Sequence, residues 1–187
     1  HLALAKEAAH EVVRCNALST VKDIFERVSS SPSRKHETRR LAMLCTEHHY
    51  DMAVALSLGR EQPLDVEGEC PGNRTCLHHC NEALSYGQVA LENTGMLEHK
   101  VELEFVIKEL VLLKATCLLN AGELQEASKE LSALPDWSGE DDPVYYNLFL
   151  DFILLQMRLQ TLLKDLEQTT QCLRSFAVFS KRTLLYQ

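Results

Sequence analysis

From Val101 to Leu134 the apolar positions follow a helical period and break only once. Val106, Leu110, Leu113, Cys117 and Leu118 recur at spacings of three and four, so one face of a helix is apolar along its length. Asn120, Ala121 and Gly122 interrupt it, and Gly122 is the residue there that enters a left-handed cap without strain. Glu123 and Glu126 put negative charge in the first turn of the next helix, which carries Leu124, Ala127, Leu131 and Leu134. Two amphipathic helices joined this tightly lie antiparallel, as an αα-hairpin.

The same reading covers the rest of the chain. Residues 2 to 28 are helical, with Ala8, Val12, Cys15, Leu18, Val21, Ile24, Phe25 and Val28 on a stripe that Ser19 and Thr20 divide by capping a second helix. Ser29, Ser30, Ser31 and Pro32 end it. A helix from about Ser33 carries Leu41, Leu44 and Cys45 to Glu47. A short second one carries Tyr50, Ala53, Val54 and Leu56 to Leu58, which gives another hairpin. The stretch from about 59 to 74 loses all periodicity around Pro63, Gly68, Pro71 and Gly72, and is expected to be a long loop dispensable for folding. Leu77, Cys80, Leu84, Val89 and Leu91 restart the pattern before Asn93, Thr94 and Gly95 stop it. Beyond Pro135, Gly139 and Pro143, the residues Tyr145, Leu148, Phe149, Phe152, Leu155, Leu159, Leu162 and Leu163 describe the most apolar helix, one expected to be covered on more than one side. A last helix runs from about Leu166 to Phe179.

Composition narrows the function classes. At 187 residues a single domain, 1–187, is expected, and seven glycines and five prolines are few for a loop-rich or all-β fold. A net charge of −8 argues against nucleic acid as a direct partner. No run of about 18 apolar residues is present, so no membrane partner is expected. Seven cysteines without a regular framework read as reduced thiols in an intracellular protein, nuclear or cytoplasmic with a lean to the nucleus; on that reading the Asn73-Arg74-Thr75 sequon is idle. The first residue is histidine, which reads as a domain cut from a longer chain.

Candidate chemistry changes this picture little. Cys70, Cys76, His79 and Cys80, with His78 beside them and Cys45, His48 and His49 upstream, are suitable zinc ligands. Cys76 and Cys80 have the spacing of half a structural site. The other half has no clean pair, so ordinary helical thiols and no cofactor are the preferred reading. No glycine-flanked serine or cysteine and no phosphate loop is present, so no catalytic residue is assigned. Glu102, Glu104 and Glu109 read as a solvated face, and Tyr145, Tyr146, Phe149 and Phe152 as core rather than a peptide-gripping surface. The basic cluster Arg34, Lys35, Arg39 and Arg40 stands out. Positive charge in a first helical turn opposes the macrodipole, and a use that offsets this cost is a docking site for carboxylates or a phosphoserine. Phosphorylation of Ser31 would neutralise it from within.

The segment Val111 to Leu131 resembles a tetratricopeptide repeat, a helix pair of about 34 residues. Val111, Ala115 and Leu118 on the first helix, Gly122 at the turn, and Leu124, Ala127 and Leu131 on the second carry the likeness. In that family small residues at the offsets of Ala115 and Ala127 let the two helices approach closely. Tyr145 stands 34 positions after Val111, in a stretch similar to the start of the family's first helix, although Phe149 falls where a small residue is expected. Tyr50 to Ala53 is similar to a second-helix start. Lys114, Ala115, Asn120, Glu123, Ala127, Ser128 and Lys129 also resemble the telomere-repeat-factor homology domain, a helical dimerisation module that captures peptides. The first resemblance implies an all-α fold of antiparallel hairpins stacked into a short superhelix, acting as a non-catalytic scaffold or complex subunit for a peptide or helix of a partner protein. The second implies a homodimer.

Overall fold

The computed structural model describes residues 19–58, 72–95, 97–134 and 145–184. Among these it is all-helical: α1 (19–29), a 3-10 turn at Pro32–Arg34, α2 (Lys35–Ser57), α3 (Gly72–Glu92), α4 (Leu97–Ala121), α5 (Leu124–Ser132), α6 (Tyr146–Leu162) and α7 (Leu166–Leu184). The expected helix over residues 2 to 18 and the loop residues 59–71 lie outside the described residues. α3 starts at Gly72, about a turn before the apolar period resumes, so the three residues 72–74 are helix rather than loop.

Pairs of contacts along each helix set its direction. His49 meets His79 and Ala53 meets Cys76, so α2 and α3 are antiparallel. Cys117 meets Cys76, and Ile107 lies beside Gly87, so α4 is antiparallel to α3. Phe105 meets Tyr145 and Asn120 meets Arg158, which makes α6 parallel to α4. Thus α2, α4 and α6 run in one direction and pack as neighbours, while α3, α5 and α7 return.

Two expectations need correction. Residues 41–58 do not form a hairpin, because α2 is one helix through Glu47, His48 and His49, none of which breaks helical geometry, and Thr46 and His49 are buried within it. Its hairpin partner is α3. The buried stripe of α3 is also not the leucine-rich one: Cys76, Cys80, Ala83, Gly87 and Ala90 are buried, while Leu77, Leu84, Val89 and Leu91 flank them half-buried. Small side chains let helix axes approach. A methyl group added at Gly87 would sit 3.3 Å from Ile107 Cγ1 and 3.7 Å from Thr46 Cγ2, so three helices meet at that glycine.

The main core lies where α4, α5 and α6 converge on Leu112, Ala115, Leu118, Leu119, Ala127, Leu131, Leu148 and Leu159. Each leucine moved from water to full burial contributes about 1.5–3 kcal/mol. Ala115 and Ala127 are fully buried in it, and Lys114 spans the hairpin to Glu130 at 2.7 Å. Gly122 has φ of 80°, and the Glu123 amide donates to Leu118 O at 2.9 Å, which closes α4 with a Schellman turn. α6 closes in the same way, although Lys164 supplies the left-handed residue (φ 61°) and the Asp165 amide donates to Gln160 O at 2.9 Å.

Candidate functional site

The parallel helices α2, α4 and α6 frame a groove of about 420 Å³. Tyr50, Val54, Ser57 and Leu58 come from α2 and its end, Glu109, Leu112, Leu113 and Thr116 from α4, and Leu148, Asp151, Leu154, Leu155 and Arg158 from α6. Leu112 and Leu148 are buried in the floor, while Leu58 (57% exposed) and Leu154 (50%) stand at the rim. The hydroxyls are spent within the protein. Ser57 donates to Val54 O and Thr116 to Leu112 O, each at 2.8 Å, and Tyr50 donates to Glu109 Oε2 at 3.2 Å. Burial raises the Glu109 carboxyl, the Tyr50 hydrogen bond opposes this, and the charge of Asp151 adds to it. Burial and then Glu109 push the Tyr50 phenol up to about 12. Glu109 is therefore not part of a solvated face, unlike Glu102, whose side chain is largely exposed. From Leu110 to Leu119 α4 carries apolar residues almost all round, and the helix packs against α2, α3, α5 and α6.

A larger groove of about 500 Å³ lies within the α6–α7 hairpin, lined by Phe149, Phe152, Ile153, Cys172, Val178 and Phe179. Phe149 meets Phe179 edge-on at 4.7 Å, and Tyr145 packs on Phe105 with the Lys108 ammonium 4.5 Å from its ring. These aromatics hold helices together. The remaining lining is amide, hydroxyl and Arg174, without a carboxylate.

The basic cluster divides. Arg34, Lys35 and Arg40 are exposed, and Arg34 lies 3.6 Å from Glu37. Arg39 is half-buried with its Nε shielded and without a hydrogen-bond partner, so it belongs to the packing of α2 rather than to an open flank.

Of the four zinc candidates, the three among the described residues, Cys76, His79 and Cys80, do not turn to one site. Cys70 lies outside the described residues. Cys76 and Cys80 turn into a buried cluster with Ala53 and Cys117, the Sγ atoms of Cys76 and Cys117 being 2.8 Å apart. His79 instead shares a 2.8 Å hydrogen bond with His49, Nδ1 to Nδ1. Among the described residues no group of three or more His, Cys, Asp or Glu has the arrangement of a metal site. Hydrogen bonds with Cys117 and then Cys80 lower the Cys76 thiol, while Cys117 and Cys80 are raised.

The histidine pair is held neutral. Burial, followed by the charges of Lys22, His79 and His48, lowers His49 to about 3, and burial with His78 and His48 lowers His79 to about 4. A neutral His49 at 3.9 Å from Glu82 is not an ion pair; the carboxylate pairs with Lys22 at 2.9 Å. One tautomer fits: His79 Nδ1–H donates to His49 Nδ1, leaving His49 Nε2–H turned toward Glu82. Tyr86 stacks on His49 at 6.1 Å.

Compared with protein-family models, with curated proteins and with solved structures, the chain matches none, and its functional reading rests on this geometry.

Proposed function

We propose that this chain is a non-catalytic protein-interaction scaffold, or a subunit of a complex, that binds a peptide or helix of a partner protein. The observation that carries the reading is the run of large apolar side chains left exposed along α6 and α7: Leu154, Leu162, Leu163, Leu166, Leu173 and Val178, with Leu166 80% exposed. Scattered exposed leucines are ordinary, but a series on one hairpin marks an interaction surface. Stacked hairpins of the tetratricopeptide kind suit this role, since they bury their cores between neighbours and leave open faces between and beyond them. Free thiols at Cys45, Cys76, Cys80, Cys117 and Cys172 support an intracellular setting, nuclear or cytoplasmic. Among the described residues no helix is long and apolar enough to cross a membrane, and the net charge of −8 disfavours direct nucleic-acid binding.

The exposed flank Arg34, Lys35 and Arg40 adds an electrostatic contact for an acidic or phosphorylated partner. Affinity capture from nuclear and cytosolic extract tests the reading. A discrete partner is expected on the wild-type chain, with its yield falling as salt rises and falling again in the Arg34→Glu/Lys35→Glu/Arg40→Glu variant. Absence of any partner above a folded control protein overturns the scaffold, and equal capture by the variant reduces the cluster to a solvated face. The same apolar hairpin favours a second reading, a homodimer formed through α6 and α7.

A further inference from the structure

The groove between α2, α4 and α6 combines an apolar floor with charge of one sign at one end. Glu109 of α4, half-buried, and Asp151 of α6, exposed, both line it, and the charge of Asp151 acts on Glu109. Among the described residues no Lys, Arg or His pairs with either carboxylate. The ammonium nearest in sequence, that of Lys108, lies over the Tyr145 ring. Two carboxylates lining one apolar groove give it a negative end, which a cationic side chain on an incoming chain complements. At the other end Arg158, two turns along α6 or about 10 Å away, is tied to Asn120 Oδ1 at 2.8 Å and presents the opposite sign. With Ser57, Thr116 and Tyr50 hydroxyls already donating inside the protein, the groove offers an incoming chain aliphatic contact, an acidic end and a basic end.

We propose that this groove binds a partner segment that sets a single Lys or Arg side chain between Glu109 and Asp151 and lays neighbouring aliphatic side chains on Leu112, Leu113, Leu148 and Leu155. The proposal rests on the scaffold reading and adds to it a second surface, which shares Leu154 with the exposed α6–α7 run, and the chemistry of its ligand. Arg158 gives the site a direction: it disfavours a second basic residue at its end, so the segment carries one cation and is not polybasic. The rim leucines Leu58 and Leu154, half-exposed in the free chain, are covered by the bound segment.

Selection from a random 12-residue peptide phage library on the purified 187-residue chain tests this. Enriched sequences are expected to share one Lys or Arg flanked by Leu, Ile, Met or Phe. Synthetic peptides from the pool are expected to bind Glu109→Gln and Asp151→Lys about tenfold or more weakly and to lose binding to Leu154→Asp. Glu109→Gln keeps an acceptor for the Tyr50 hydroxyl, and thermal melts matching wild type establish that each variant is folded. In Asp151→Lys the new ammonium stands near Glu109 and replaces the ligand's cation, so selection on that variant should return peptides without the shared Lys or Arg. If enriched peptides bind all three folded variants as well as wild type, or carry no basic residue, the groove proposal is overturned while the scaffold reading stands. If no sequence is enriched on the wild-type chain, both fall.

Discussion

His49 and His79 tie the pH dependence of the fold to one contact between α2 and α3. Both rings are lowered from an ordinary value of 6.5, to about 3 and about 4, with burial the first cause in each. Facing them are Lys22 from α1, His48 from α2, and Cys76, His78, Glu82 and Tyr86 from α3. In the unfolded chain the rings protonate near 6.5, so below that pH the unfolded state binds more protons and folding loses free energy. Stability is therefore full above about 6.5 and falls as the solution is acidified toward 4, by up to about 1.4 kcal/mol per pH unit for His49. Urea unfolding at pH 7, 6 and 5 measures this slope, and His49→Gln should flatten it. A wild-type slope unchanged by the substitution would mean that His49 is not the group responsible. The sequence placed His49 only among auxiliary zinc ligands, because adjacent histidines suggest metal until the fold shows that His49 faces a ring and not a vacant site.

At the scale of elements, the α4–α5 hairpin was the most legible part of the chain. Gly122 announced its turn, and Ala115 and Ala127 were expected at the close contact, where both are fully buried. Ala115→Leu or Ala127→Leu should destabilise the fold by about 1–3 kcal/mol through overpacking, read as a lowered melting temperature in each variant. Unchanged melts in both would remove the argument for tight approach. The α6–α7 turn is legible as a boundary but not in its form, since Lys164 carries no signal for a left-handed residue. Its readable half is Asp165 with Gln168 three residues on, where Asp165 Oδ1 accepts from the Gln168 amide at 2.9 Å and starts α7. The buried register of α3 is not legible in the sequence because Cys, Ala and Gly are weak core signals, although a stripe of them is what draws α2 and α4 close. The break expected in α2 failed for a related reason: polar His48 and His49 looked like a helix end, while burial against α3 carries the helix through them.

For the whole molecule, the all-helical class and the α4–α5 and α6–α7 hairpins follow from local periodicity, but the pairing of α2 with α3 and the groove do not. Its residues come from positions 50–58, 109–116 and 148–158, and only the parallel placement of α2, α4 and α6 puts them side by side. Glu109 and Asp151 each look solvated on its own helix, and their shared chemistry exists only between helices. On the proposed function these open apolar surfaces are filled by a different protein rather than by a second copy of the chain. Light scattering of the purified chain at micromolar concentration tests that claim most directly. A monomer of 21.2 kDa is predicted across the concentration range. A stable species of twice that mass, broken by Leu166→Asp/Leu173→Asp, would contradict it and establish the α6–α7 hairpin as a dimer interface.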